Sequence, residues 1–257
     1  MNSIDHKYRI FVFRAIDEPE LCERYIEGHV KVLTDYGITN VTTNNREWTK
    51  HPYIYCTVAE DLDTNELVGG VRIQISDGVH PLPVESAIGY MDNRIYDKVK
   101  QFALNGGISE SCGLWTAKRM KGIGMARYLM RASVASSNQL GFNIMLGICG
   151  WHTLKLFGEI GFVVDKSLGE NGDFPYPTKE HIANVIGILD AVTLKHSSRE
   201  EKKIMLLIRN KLNINMKEEL ADKTIEIDYN IKYLKITEGP FLTNDNYNLQ
   251  ITQKTYK

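Results

Sequence analysis

The residues of this chain best suited to chemistry stand together at Leu114-Trp-Thr-Ala-Lys-Arg-Met-Lys-Gly-Ile-Gly124. An apolar, strand-like run enters a basic turn there and passes at once into a helix-compatible segment, 125–138. Such a junction binds anions. Glycines at 122 and 124 let the backbone turn tightly and approach a ligand without a Cβ in the way, so several amide N–H groups face one spot. The helix dipole that begins there adds partial positive charge. Two other phosphate-binding patterns do not fit. There is no G-x-x-x-x-G-K-[ST], and Gly122-Ile-Gly124-Met-Ala-Arg127 lacks the third glycine of the dinucleotide fingerprint, with no acidic residue at the end of the next strand. On these residues alone, a tight turn with no ligand stays open beside the binding reading.

The elements that must hold this turn alternate between strand and helix. Tyr8 to Phe13 alternates as a half-buried strand, and Pro19 opens a helix to about Tyr36 through Leu21, Tyr25, Val30 and Leu33. Residues 41–50 are polar and irregular. Two strands, 53–60 and 67–75, form a hairpin around the turn residues Asp63, Thr64 and Asn65. A short helix is expected from Asn93 to Leu104, within a stretch rich in proline and glycine that suits a substrate-facing loop or a plain surface connection. Ile108 to Ala117 reads as strand, Met125 to Asn138 as helix ended by Gly141, Asn143 to Cys149 as strand, and Trp151 to Ile160 as helix ended by Gly161. Strand, helix, strand from 108 to 149 predicts a parallel crossover, whose ligands favour the carboxyl ends of the strands. The basic turn lies at that end.

Composition narrows the function class. The chain has 257 residues, 43% hydrophobic and 25% charged, with a net charge of -1. That is the profile of a soluble globular protein, without the basic surplus of a nucleic-acid binder. Cys22, Cys56, Cys112 and Cys149 are widely spaced, with no C-x-x-C pair and no histidine spacing suited to zinc. No metal and a reduced, cytoplasmic chain are expected. No run approaches the roughly 20 apolar residues that span a bilayer, and Met1 to Lys7 lacks the apolar core of a signal peptide.

Two signatures in order sharpen the turn. Arg119-Met-Lys-Gly122-Ile-Gly124 fits R/Q-x-x-G-x-G/A, and Thr153-Leu-Lys-Leu-Phe157-Gly-Glu-Ile-Gly161-Phe162 is similar to A-x-x-L-Y-x-x-x-G-F. Asn65-Glu-Leu-Val-Gly69-Gly70-Val-Arg72-Ile adds a match to x-x-L-V-G-x-x-x-L upstream. Over residues 8–165 the chain resembles the GNAT superfamily of N-acyltransferases. The longer chain, the aromatic-rich segment before the hairpin and Asp173-Phe-Pro-Tyr-Pro177 resemble, more weakly, the branch of acyl-homoserine lactone synthases and N-acyl amino acid synthases.

The resemblance implies an α/β fold, a mixed sheet splayed open between the strand ending near Ala117 and the one from Asn143 and flanked by helices. It implies acetyl-CoA or another acyl-CoA as co-substrate, its pantetheine arm in that opening. The backbone around Leu114, Trp115 and Thr116 would pair with the pantetheine amides. Amides from Arg119, Met120, Lys121, Gly122, Ile123, Gly124, Met125 and Ala126 would cradle the pyrophosphate, with Lys118, Arg119 and Lys121 adding charge. Attack by a neutral amine needs a base, and Glu110, on the face of Leu114 by period two, is the candidate, against the alternative of a paired strand-end carboxylate. Phe157 occupies the place of a tyrosine that serves the departing thiolate, which phenylalanine cannot do.

Residues 166–257 are expected as a C-terminal extension: a helix from Thr178 to Leu194, a second from Arg199 to Leu212, and a strand, 224–236, completing the sheet, so that 166–223 is a helical insertion into the 1–165 core. The expected function is transfer of an acyl group, most simply acetyl, from coenzyme A to a small-molecule primary amine. Long-chain transfer from acyl-CoA or acyl-carrier protein to an amino acid, and a catalytically silent acyl-CoA-binding module, are the alternatives. No nucleic-acid or membrane partner is expected.

Overall fold

A computed structural model of the chain describes residues 5–35 and 46–231. In chain order the elements are β1 (His6–Arg14), α1 (Pro19–Asp35), β2 (Ile54–Asp61), β3 (Leu67–Ile75), α2 (Pro83–Ile88), α3 (Arg94–Leu104), β4 (Ile108–Thr116), α4 (Met125–Ala135), α5 (Ser137–Leu140), β5 (Ile144–Gly150), α6 (Leu154–Ile160), β6 (Val163–Val164), β7 (Asp173–Pro175), β8 (Ile182–Ile188), α7 (Arg199–Lys211), β9 (Asn213–Glu219) and β10 (Thr224–Asn230). Short 3-10 turns occupy Glu47–Lys50, Lys118–Met120 and Trp151–Thr153. By contact the chain forms two compact units. Among the described residues, unit 1 holds 5–35, 46–73, 113–136 and 203–231, and unit 2 holds 74–112 and 137–202.

In unit 1 a mixed sheet is built outward from β1. β1 pairs antiparallel with β2, from Tyr8↔Asp61 to Arg14↔Tyr55, and parallel with β10, from His6↔Ile225 to Phe11↔Asn230. β9 adds an antiparallel edge. The β2–β3 hairpin turns as its residues dictate: Asp61 Oδ1 accepts the Asp63 N–H at 3.0 Å, and Asn65 takes the left-handed conformation at φ 57°. One core cluster joins α1 to β1 and β2 through Phe13, Cys22, Tyr25, Ile26, Ile54, Val58 and Trp115. Each large side chain buried there contributes roughly 1.5–3 kcal/mol relative to exposure. α4 packs on β1 and β2, where the Ser133 hydroxyl donates to Thr57 Oγ1 at 2.9 Å.

The expected strand 224–236 therefore forms over Thr224–Asn230, as a parallel partner of β1; residues 232–236 lie outside the described residues. β9, just before it, was not expected. Its exposure alternates along Asn213–Glu219, and an edge strand carrying Lys217, Glu218 and Glu219 offers little hydrophobic periodicity to read.

In unit 2, β4 and β5 run parallel, as the crossover predicts. Their ladder covers Ile108↔Ile144, Ser109↔Met145 and Glu110↔Leu146 and then stops, while β5 continues to Gly150 on its antiparallel pairing with β8. β6 and β7 also pair with β8. The core beneath is formed by Leu82, Val84, Ile88, Ile95, Val99, Ile108, Leu146, Phe174 and Val185, bringing α2 and α3 onto the strands. Here the helix expected from Thr178 to Leu194 is corrected to β8. Ala183 through Ile188 are all buried, and a strand covered on both sides reads as a continuous apolar run without a period of two. Thr178 Oγ1 bonds Glu180 at 2.6 Å and His181 at 2.8 Å, organising a turn and capping no helix. The insertion 166–223 is thus mixed, with α7 as its helix and β7, β8 and β9 as strands.

Candidate active site

The turn after β4 lies in unit 1 and is built by its backbone. Gly122 and Gly124 sit at φ +83° and +81°, a conformation that L side chains rarely adopt, and Gly124 directly precedes α4. Three of its amides are spent on the turn: Met120 N–H on Ala117 O at 2.8 Å, Lys121 N–H on Lys118 O at 3.2 Å, and Ile123 N–H on Met120 O at 3.1 Å. Among the described residues, the amides of Gly122, Gly124, Met125 and Ala126 have no backbone acceptor. The Met120 and Ile123 side chains are buried and pin the turn, which leaves Gly122 and Gly124 exposed.

The three cations differ. Arg119 Nη2 is 2.7 Å from Glu66 Oε2 and 3.8 Å from Asp61 Oδ2, so its charge is balanced by the β2–β3 turn. Lys118 and Lys121 are exposed. Lys118 and Arg119, with Arg24 and Lys31 of α1 and the acids Glu27, Asp35 and Glu66, line an open recess of about 480 Å³.

Along β4 the side chains divide. Trp115 is 4% exposed and meets Tyr25 edge-on, with ring centroids 5.9 Å apart, so its side chain is a core group. Leu114 and Thr116 are half-buried. Gly113 takes φ +60° within the strand, where an alternating ladder does not persist, and the Tyr25 hydroxyl donates to the Gly113 carbonyl at 2.6 Å.

In unit 2, Glu110 is 2% exposed, and its Oε2 accepts the Val84 N–H in the first turn of α2 at 2.7 Å. Tyr176 packs against the same core. Burial first, then the Glu110 carboxylate and the Tyr90 phenol, push the Tyr176 phenol above its ordinary value, so it keeps its proton at neutral pH. Phe157 is buried on α6, edge-to-face with Phe162 at 5.2 Å, and α6 ends where Phe162 N–H and Gly161 N–H both reach Phe157 O. Burial also raises the Cys149 thiol, opposed by a hydrogen bond with Thr153; a protonated strand thiol is a core residue and not a nucleophile.

No family model matches the sequence, and no curated protein matches it. Solved structures do. FeeM, an N-acyl amino acid synthase from uncultured soil microbes, superposes with a TM-score of 0.55 at 12% identity, over 76% of this chain and 97% of its own. BjaI, a CoA-dependent acyl-homoserine lactone synthase solved with SAM and isopentyl-CoA, gives 0.52 at 13% identity, over 94% and 99%. TofI, solved in a ternary complex with an inhibitor and MTA, gives 0.52 at 12% identity, over 72% and 93%. The chain has their fold. The α/β architecture expected from the sequence, a mixed sheet flanked by helices, is the one observed, and the β4–β5 ladder stops after Glu110↔Leu146.

Among the described residues no helix is long and apolar enough to cross a membrane. The sequence reading missed one group that the fold brings to β4: His29, one turn of α1 beyond Tyr25, which reaches Gly113. The i, i+4 spacing of Tyr25 and His29 was the signal available. It could not show which strand that face of α1 meets.

Proposed function

We propose that this protein is a GNAT-type N-acyltransferase that moves an acyl group from coenzyme A to a small-molecule primary amine by direct attack on the thioester. The observation that carries the reading is the turn after β4: two glycines at positive φ, with the amides of Gly122, Gly124, Met125 and Ala126 left without backbone acceptors at a helix start. Those four amides suit a pyrophosphate, with Lys118 and Lys121 as its counter-charges. Arg119, Met120 and Ile123 then shape the turn, by the ion pair with Glu66 and by buried side chains.

The β4 backbone at Leu114 and Thr116 is assigned to the pantetheine amides, and Phe157 to the thioester sulfur. Two protons must leave an ammonium before an amide is made. The first leaves to free the lone pair. The second leaves after attack and ends on the thiolate of coenzyme A; Glu110 is assigned to carry it, directly or through a water. Residues 1–165 are the proposed acyl-CoA-binding core, and the cytoplasm the proposed compartment.

Acetyl is the simplest acyl group. A long acyl chain carried to an amino acid, from coenzyme A or from acyl-carrier protein, is the second reading, favoured by the similarity to an N-acyl amino acid synthase. Coenzyme A release from acetyl-CoA and from decanoyl-CoA, with L-amino acids and polyamines as acceptors, tests both. Tight acyl-CoA binding with no release under any amine would turn the reading to a silent acyl-CoA-binding module.

A further inference from the structure

Gly113 of β4 is met from α1 by two side chains. A Cβ built on residue 113 would stand 3.0 Å from the Tyr25 hydroxyl oxygen and 3.9 Å from His29 Cε1, so the imidazole lies against this point of the strand. The Tyr25 and His29 rings are 6.3 Å apart, edge-on. Tyr25 is buried, tied to the Gly113 carbonyl and flanked by Trp48 at 5.7 Å. His29 is half-buried. Arg72 of β3 lies over the Trp48 ring at 4.9 Å from its centroid, fixed by that cation–π contact.

The position of Gly113 along β4 gives this cluster its meaning. With the pantetheine amides at Thr116 and Leu114, the arm runs back along the strand, which rises about 3.3 Å per residue. Two methylenes, roughly 4 Å of chain, separate the last amide from sulfur. The thioester therefore falls beside Gly113, one residue past Leu114.

We infer that His29 takes the first proton from the acceptor, converting a bound ammonium into the neutral amine that attacks the thioester. The inference rests on the acyl-transfer reading and adds a catalytic residue to it. The balance closes without any further reactant. The ammonium N–H bond breaks, its proton goes to the imidazole and from there to solvent, and the freed lone pair forms the N–C bond as C–S breaks. The second proton is the one assigned to Glu110, ending on the thiolate.

The electrostatics agree with that task. Burial, then the charge of Arg72, hold the His29 imidazole below its ordinary value, so at neutral pH it is an unprotonated acceptor. Among the described residues the charged group acting on it is Arg72 of β3, and the hydroxyl beside it is that of Tyr25. The same positive charge disfavours an ammonium at this place, which lowers the cost of moving the proton.

The test uses the full chain, acetyl-CoA and decanoyl-CoA as donors, and L-amino acids and polyamines as acceptors. His29→Gln should bind acyl-CoA as wild type does in calorimetry, while turnover falls roughly 10²-fold and the acid limb of the wild-type rate profile disappears. Arg72→Gln should move that limb upward, toward the ordinary histidine value. Turnover by His29→Gln within about threefold of wild type, with its acid limb intact, overturns the inference and leaves the acyl-transfer reading standing. A wild-type chain that releases no coenzyme A from either donor removes both. Should His29→Gln fail to fold, the wild-type imidazole resonance decides: it should titrate below its ordinary value and shift when acyl-CoA is added, and a resonance indifferent to acyl-CoA sinks the assignment.

Discussion

In the turn after β4, the groups proposed to bind are main-chain amides without backbone acceptors, and the side chains of Met120 and Ile123 are buried and hold the shape. Around Glu110 the arrangement is reversed. A carboxylate is buried to 2% exposure, and the main chain of α2 serves it, through the Val84 N–H at 2.7 Å. The first region relies on its glycines and on the buried side chains that hold the backbone; the second depends on one buried carboxylate and its hydrogen-bond partners. The proposed acyl transfer needs both kinds. Binding a phosphate asks for many weak donors at fixed positions, whereas moving a proton asks for one group of the right basicity.

The comparison breaks first at Glu110. Glutamine keeps the shape and an acceptor for Val84 N–H but loses basicity, so turnover should drop roughly 10²-fold with acyl-CoA affinity nearly intact. A Glu110→Gln chain with full activity across the pH range would reduce the carboxylate to an anchor for α2. Next comes Gly124→Val, in the main-chain region. No heavy atom approaches a Cβ there closer than 3.7 Å, so the obstacle is the +81° φ and the ligand itself, not packing. Acyl-CoA affinity should weaken by more than about 1 kcal/mol, or five- to tenfold, through lost amide contacts. An unchanged titration in a folded variant would put the phosphates elsewhere.

A smaller effect separates the cations. Arg119→Gln removes a charge already balanced by Glu66 and Asp61 and should change acyl-CoA affinity by no more than about twofold, less than Lys121→Gln. The opposite order would mean that Arg119 leaves Glu66 for the ligand.

The smallest expected effect is on stability. His29 is held below 6.5 in the folded chain and returns to about that value on unfolding. As pH falls from 6.5 toward the folded value, the unfolded chain takes up a proton that the folded chain refuses, so stability falls with pH in that window. Urea titrations of wild type and His29→Gln should show a shallower slope in the variant. Parallel slopes would mean that His29 is no less solvated in the fold than in the open chain.

The turn was legible because its determinants are local. Positive φ at Gly122 and Gly124 is a property of glycine, and a helix start leaves its first amides free whatever packs elsewhere. For the same reason Pro19 and Gly161 marked helix ends correctly, and the alternation of residues 8–13 marked β1, whereas the helix expected over 125–138 ends at Ala135 and Gly141 follows the separate short α5. The sequence by itself therefore determined the order of most elements and a tight, glycine-bearing turn between β4 and α4. Tertiary structure alone decided the rest. It made 182–188 a doubly covered strand, where the apolar run suited helix or strand equally, and it set β10 parallel to β1, over 200 residues away in the chain. It also brought His29 to Gly113, 84 residues further along the chain, because a side chain's basicity and neighbours depend on which helix face meets which strand, and burial of Cys22, Tyr25 and Ile26 in the folded core is what chooses that face.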